Sequence, residues 1–114
     1  MRKLSDIKIR TRISFEITEK FFGVGVSKLL HLIEKDGSIR KASEEMNMSY
    51  TKALKILKRV EKEMDIKLLD TVVGGVGGGL SKLTEEAKEL LATYDNMVEE
   101  VEKEVERISK KYLK

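Results

Sequence analysis

Apolar side chains change their spacing several times along this chain, and each change marks an element. From Asp6 to Thr18 the odd positions Ile7, Ile9, Ile13, Phe15 and Ile17 are apolar, broken by Thr11, while the even positions are mostly polar. Period-two alternation with β-branched residues predicts a half-buried strand. Thr18-Glu19-Lys20 turns the chain and Phe21-Phe22 pairs back, giving a small hairpin that shields one side of a helical core. Gly23 and Gly25 loosen the chain before a helix over Ser27 to Lys35. Leu29, Leu30, Leu32 and Ile33 make that helix apolar over a wide face, so it is expected at the centre of the core.

The stretch Asp36 to Asp70 carries two further helices. Ser38 caps the first, about Ile39 to Met46, which has Ile39, Ala42, Ser43 and Met46 on one face. Asn47 and Met48 form a turn, and Ser49 caps the second, about Tyr50 to Met64. There Ala53, Leu57, Val60 and Met64 form one narrow stripe. The opposite face carries Thr51, Lys55, Lys58 and Lys62, flanked by Lys52 and Arg59. Two short helices, a tight turn and a basic outer face fit a helix-turn-helix. An ordinary helical hairpin with a solvated lysine face has the same pattern.

The residues beyond Met64 narrow the choice. Ile66, Leu68 and Leu69 begin an extended apolar run through Thr71-Val72-Val73, then Gly74 to Gly79 reads GGVGGG, and LSKLT leads into a long helix. A helix-turn-helix followed by a two-stranded ribbon with a glycine-rich tip predicts a winged helix. From Thr84 to Tyr112, Ala87, Leu91, Tyr94, Val98, Val101, Val105, Ile108 and Tyr112 alternate steps of four and three. That seam is the mark of a two-stranded coiled coil. Ala87, Leu90 and Leu91 in its first turns are expected to pack within the domain, and the far half exceeds what the domain covers.

Composition and charge refine this division. A length of 114 residues, 38% of them charged and 40% hydrophobic, suits one folded, helix-rich domain. Met1 to Leu83 holds 17 Lys and Arg against 11 Asp and Glu, a net of +6, whereas Thr84 to Lys114 holds 6 against 9, a net of −3. A basic body and an acidic tail fit a nucleic-acid binder whose last helix points away from the phosphates. The expected units are residues 1–83, a DNA-binding domain, and 84–114, a dimerisation helix. No cysteine occurs, which fits a reducing cytoplasm. No apolar run approaches a membrane span, and MRKLSDIKIR lacks the apolar core of a signal peptide. No membrane partner is expected.

Candidate chemistry is sparse. His31 is the single histidine, without the converging ligands a metal site needs. Glu44-Glu45 and Glu61/Glu63 read as solvated helix charges. Gly74 and Gly79 have the glycine spacing of a phosphate-binding loop, with Ser81 in the hydroxyl position, but Leu80 stands where its lysine belongs. No enzyme activity, cofactor or metal is expected.

SIRKASEEMNMSYTKALKILKRVEKEMDIKLLD resembles the DNA-binding domain of LysR-type regulators. FFGVG before the first helix, SY opening the next, and GGVGGG-x-x-x-LT resemble the ModE-type branch, the molybdenum-dependent regulators. The likeness covers about Ile13 to Leu91. It implies a mainly α fold with small β, a winged helix-turn-helix with an N-terminal hairpin and a long C-terminal helix through which two copies pair. Helix 50–64 would enter the major groove of double-stranded DNA. The family's pattern carries to Ser49, Tyr50, Thr51 and Lys55, joined by Lys52 and Arg59 beside them. Ser38 and Arg40 would contact phosphates. Where family members place basic wing residues, this chain has Thr71, Val72, Val73 and Val76, leaving the backbone amides of Gly77 and Gly78 for the wing. Leu91, Tyr94, Val98, Val101, Val105, Ile108 and Tyr112 would form the dimer interface. ModE-type proteins continue into a molybdate-binding domain, for which 114 residues leave no room, so molybdate is not expected as a ligand. The implied function is transcription regulation as a homodimer. A module that binds another regulatory protein through the long helix is the second possibility.

Overall fold

The computed structural model describes residues 1–72 and 80–114 of the chain. Its elements in order are a single 3-10 turn at Leu4–Asp6, β1 (Phe15–Glu16), β2 (Lys20–Phe22), α1 (Val24–Asp36), α2 (Ile39–Glu45), α3 (Tyr50–Met64), β3 (Leu69–Val72), β4 (Leu80–Leu83) and α4 (Glu85–Tyr112). The fold is mostly helical with two small antiparallel sheets, β1–β2 and β3–β4, in keeping with the expected α+β class.

α1 is central, as its wide apolar face predicts. Leu29, Leu30 and Ile33 are fully buried, and the helix packs against α2, α3, α4, β2 and β4. α2 contributes Ala42, α3 contributes Ala53, Leu57 and Val60, and α4 contributes Ala87, Leu90, Leu91 and Tyr94 to the same core. α1 begins three residues earlier than its periodicity indicates. Gly23 takes the N-cap position, so Gly25 lies in the first turn and does not loosen the chain.

α1 ends at Gly37, in the left-handed region at φ 68°, where its N–H donates to the Ile33 carbonyl at 2.7 Å. The Gly37 carbonyl accepts from Ser81 N–H at 2.9 Å, which ties β4 to the end of α1. A Cβ at this position would run into Leu80 Cδ1. Positive φ and this close approach both call for glycine.

β3 pairs with β4 from Leu69↔Leu83 to Val72↔Leu80. Leu83 then enters the core, and Thr84 caps α4 by accepting from Ala87 N–H at 3.1 Å while its hydroxyl donates to the Lys67 carbonyl at 2.6 Å. This one Leu-Thr pair therefore anchors the ribbon and starts the long helix.

The expected strand over Asp6 to Thr18 is largely absent. Only Phe15–Glu16 is strand, and residues 7–14 have no regular structure. The physical reason is pairing: β2 offers three residues, too few to hold a long partner. Ile7 and Ile9 stay half exposed along α4, and Ile17 sits in the exposed turn. The end of the segment is held firmly. Tyr94 Oη donates to the Ile13 carbonyl at 2.8 Å, and its ring lies 5.2 Å from Phe15 and 4.9 Å from Phe22.

Candidate nucleic-acid interface

α2 and α3 owe their placement to two serines. Ser38 Oγ accepts from Lys41 N–H at 3.1 Å and Ser49 Oγ accepts from Lys52 N–H at 3.0 Å, satisfying first-turn donors of both helices. Between them Asn47 takes a left-handed conformation at φ 54°, which its short polar side chain tolerates. Met48 N–H donates to the Ser43 carbonyl at 3.0 Å, closing the turn. Each serine accepts in its cap, so each hydroxyl still has a hydrogen to donate.

The stripe expected on α3 is the buried one: Ala53, Leu57 and Val60 face the core, with Met64 partly covered. The opposite face is in solvent, with Thr51, Lys55, Lys58 and Lys62 all exposed. Lys52 and Arg59 are exposed on the flank turned toward the β1–β2 hairpin. On the other flank Arg40 of α2 lies over the Tyr50 ring, 4.6 Å from its centroid. That stacking is worth about 0.5–1 kcal/mol at an exposed site, and it sets one cation beside the amino end of α3. Of the candidate residues, Thr51 and Lys55 are on the outer face of α3, Lys52 and Arg59 on one flank, Arg40 and Tyr50 on the other, and Ser38 and Ser49 at the starts of the two helices. Gly77 and Gly78 lie outside the described residues, as do Val73 and Val76.

The carboxyl half of α3 is braced against the hairpin. Glu63 Oε1 accepts from Thr18 Oγ1 at 2.5 Å and from Glu19 N–H at 2.9 Å. The Thr18 hydrogen bond is the main reason its carboxyl titrates below the ordinary range. Arg59 pairs with Glu19 at 3.3 Å, with both side chains mostly in solvent.

α4 divides at Tyr94. Leu91 and Tyr94 are buried in the chain's own core, at 4% and 3% exposure. Further on, Val98, Val101 and Val105 are half-buried, and Ile108 and Tyr112 are exposed. Burial, with the Asp95 charge nearby, raises the Tyr94 phenol above its ordinary value. The polar side of the distal half is laced by Lys103–Glu99 at 3.1 Å and Lys110–Glu106 at 3.3 Å. Such pairs support an isolated helix by a few tenths of a kcal/mol each, about 0.2–0.5.

Two groupings have no counterpart in the sequence patterns. Asp95 of α4 accepts from Ser27 Oγ at 2.9 Å and meets His31 Nε2 at 2.6 Å, clamping α4 to α1. The carboxylate holds the hydroxyl through one oxygen and the ring through the other, so the imidazole is spent on Asp95 and the trio lacks the serine–histidine contact of a nucleophile arrangement. The partners are 64 and 68 residues apart, beyond any local motif. The second grouping is a cleft between the hairpin and α3, where Arg12 and Lys20 join Lys52 and Arg59. Of the alternating cations Lys8, Arg10 and Arg12, only Arg12 reaches it, while Lys8 and Arg10 lie along α4. Among the described residues no three His, Cys, Asp or Glu side chains come together to hold a metal ion, and no helix is long and apolar enough to cross a membrane.

Over 90 residues the chain is 34% identical to a protein named molybdenum transport protein ModE, from Herbaspirillum seropedicae. The match takes in 79% of this chain and 30% of that protein, so the chain spans less than a third of the length of the curated relative it matches. No family model matches the chain.

Proposed function

We propose that this protein is a double-stranded DNA-binding regulator of transcription, a ModE-like winged helix-turn-helix that works as a homodimer in the cytoplasm. The observation that carries the proposal is the α2–α3 pair. Both helices are serine-capped, α3 hides one stripe in the core, and its opposite face presents Thr51, Lys55, Lys58 and Lys62 to solvent. A helix so presented fits the major groove, where Thr51 and Lys55 reach base edges and Lys52, Arg59, Ser38 and Arg40 meet phosphates. Cation-to-phosphate contacts supply most of the affinity through release of counterions. The similarity to ModE supports the same assignment at the level of the domain.

Dimerisation rests on the distal half of α4. Val98, Val101, Val105, Ile108 and Tyr112 continue the heptad spacing beyond the point where the protomer covers the helix. Leu91 and Tyr94 would serve the pairing from beneath, by fixing the root of the helix. The same half-covered stripe is what favours a second reading, a module that engages a different regulatory protein.

Selection of bound sequences from random duplex DNA tests the proposal. Enrichment of two half-sites about one helical turn apart, or a multiple of it, is the expected result. Recovery of unenriched sequence at low salt, with no duplex retained at physiological salt, contradicts it.

A further inference from the structure

We infer that the cleft between the β1–β2 hairpin and α3 is a second contact with the duplex, holding backbone phosphates of the strand that borders the groove α3 enters; the inference rests on the DNA-binding role proposed for α3. The cleft has a volume of about 490 Å³. Four cations line it from three separate parts of the chain: Arg12 of the N-terminal segment, Lys20 of β2, and Lys52 and Arg59 of α3. No carboxylate belongs to its lining among the described residues. Glu19 holds Arg59 from outside the lining at 3.3 Å, but both side chains are mostly solvated. Exposed pairs of this kind contribute little in water, so a phosphate can take over the guanidinium.

Position selects the occupant. At about 100° per residue, Lys52 and Arg59 lie roughly a quarter-turn round α3 from its outer face. When that outer face enters a groove about 12 Å wide, one lip of the groove must pass along this flank. Lys20 and Arg12 continue the same cationic wall beyond the helix, so a strand leaving Lys52 would meet them next. The positive end of α1 opens on the cleft as well: Gly23 provides no side-chain cap and the first turn carries no acidic residue. Its field adds to that of the four side chains. The partly apolar floor, with Val24, Val26 and Ile56, suits the sugar edges of a backbone.

Arg12 and Lys20 are both in solvent and hold no part of the core, so the double variant Arg12→Ala with Lys20→Ala isolates the contact. Fluorescence anisotropy would follow binding to the selected site and to an unrelated duplex at several salt concentrations. The expected result is a fall of about two in the salt slope per subunit, at about 0.9 per phosphate contact, with the ratio of specific to unrelated affinity unchanged. Arg12→Gln with Lys20→Gln should behave in the same way, and circular dichroism checks the fold of each. An unchanged slope in both variants overturns the inference. If Lys55→Ala meanwhile weakens binding, the role of α3 stands and only the cleft contact falls; if the wild type binds no duplex, both fall. Amide shifts of Lys20, Val24 and Gly25 separate the possible anions. Movement with duplex beyond that seen with inorganic phosphate at matched ionic strength supports the inference, and equal movement with inorganic phosphate alone makes this a small-anion site and overturns it.

Discussion

Tyr94 is the residue on which the root of α4 turns, and replacing it in two steps separates its ring from its hydroxyl. Tyr94→Phe keeps the ring against Phe22 and Phe15 and removes the donor that meets the Ile13 carbonyl at 2.8 Å. A hydrogen bond of this kind contributes about 1 kcal/mol net. In a chain of 114 residues, that lowers the melting temperature by about 3–6 °C. Tyr94→Ala also removes a ring that is only 3% exposed. Truncating a buried aromatic to alanine costs about 3–5 kcal/mol, a large part of the ~5–15 kcal/mol that holds a domain together. Thermal melts by circular dichroism and sedimentation below the melt would be read together. The expected result for both variants is loss of stability with the oligomeric state of the wild type kept. pH gives an independent reading. Burial raises the folded phenol above its ordinary value of 10.0, so its contribution is full below that value and is lost as pH rises through the folded value. The deficit of Tyr94→Phe should therefore narrow above about pH 10. A Tyr94→Ala protein that melts with the wild type, or that dissociates without loss of stability, would refute the placement of Tyr94 in the protomer core.

The remaining predictions touch three other parts of the molecule. Gly37→Ala forces a side chain into a left-handed turn and against Leu80; a loss of at least about 1 kcal/mol in chemical denaturation is expected, since the strain adds to the usual cost of alanine at positive φ. Val105→Asp, on the half-covered distal stripe of α4, should give a folded monomer by sedimentation, because a carboxylate in the seam must be desolvated without a partner. Glu63 has a lowered carboxyl value, so its brace on Thr18 and Glu19 is full above the ordinary 4.5 and is lost as pH falls through the folded value. NMR should show the Glu19 amide moving as pH falls below 4.5 in the wild type, and that movement lost in Glu63→Gln.

Much of the helical frame is legible in the sequence because local chemistry decides it. Ser38 and Ser49 each cap a helix that begins at the next residue, and the single stripe on α3 is narrow enough to show which face is buried. Thr84 marks the start of α4 in the same way. The N-terminal strand is not legible, because alternation at Ile7, Ile9 and Ile13 says nothing about a partner, and β2 supplies only three residues. Heptad spacing likewise runs unbroken from Ala87 to Tyr112 although Leu91 and Tyr94 are buried inside the single chain. Spacing records an apolar face and not which chain covers it. For the candidate site, the cations of α3 stand out by periodicity, whereas Arg12 and Lys20 reach the same cleft only through the hairpin. No local pattern links residues so far apart.

Lys55→Ala tests the central claim most directly. Lys55 is exposed on the outer face of α3, one turn beyond Thr51. Binding to the selected duplex and to single-base variants of it, measured at two salt concentrations, reads its role. Loss of about 1–3 kcal/mol with relaxed preference at one position of each half-site is expected if its ammonium meets a base edge. An even loss across sequences, with the salt slope reduced by about one per subunit, marks a phosphate contact on the same face. Binding equal to that of the wild type at both salt concentrations would contradict a groove-reading role for α3 and leave the α4 stripe as the functional surface.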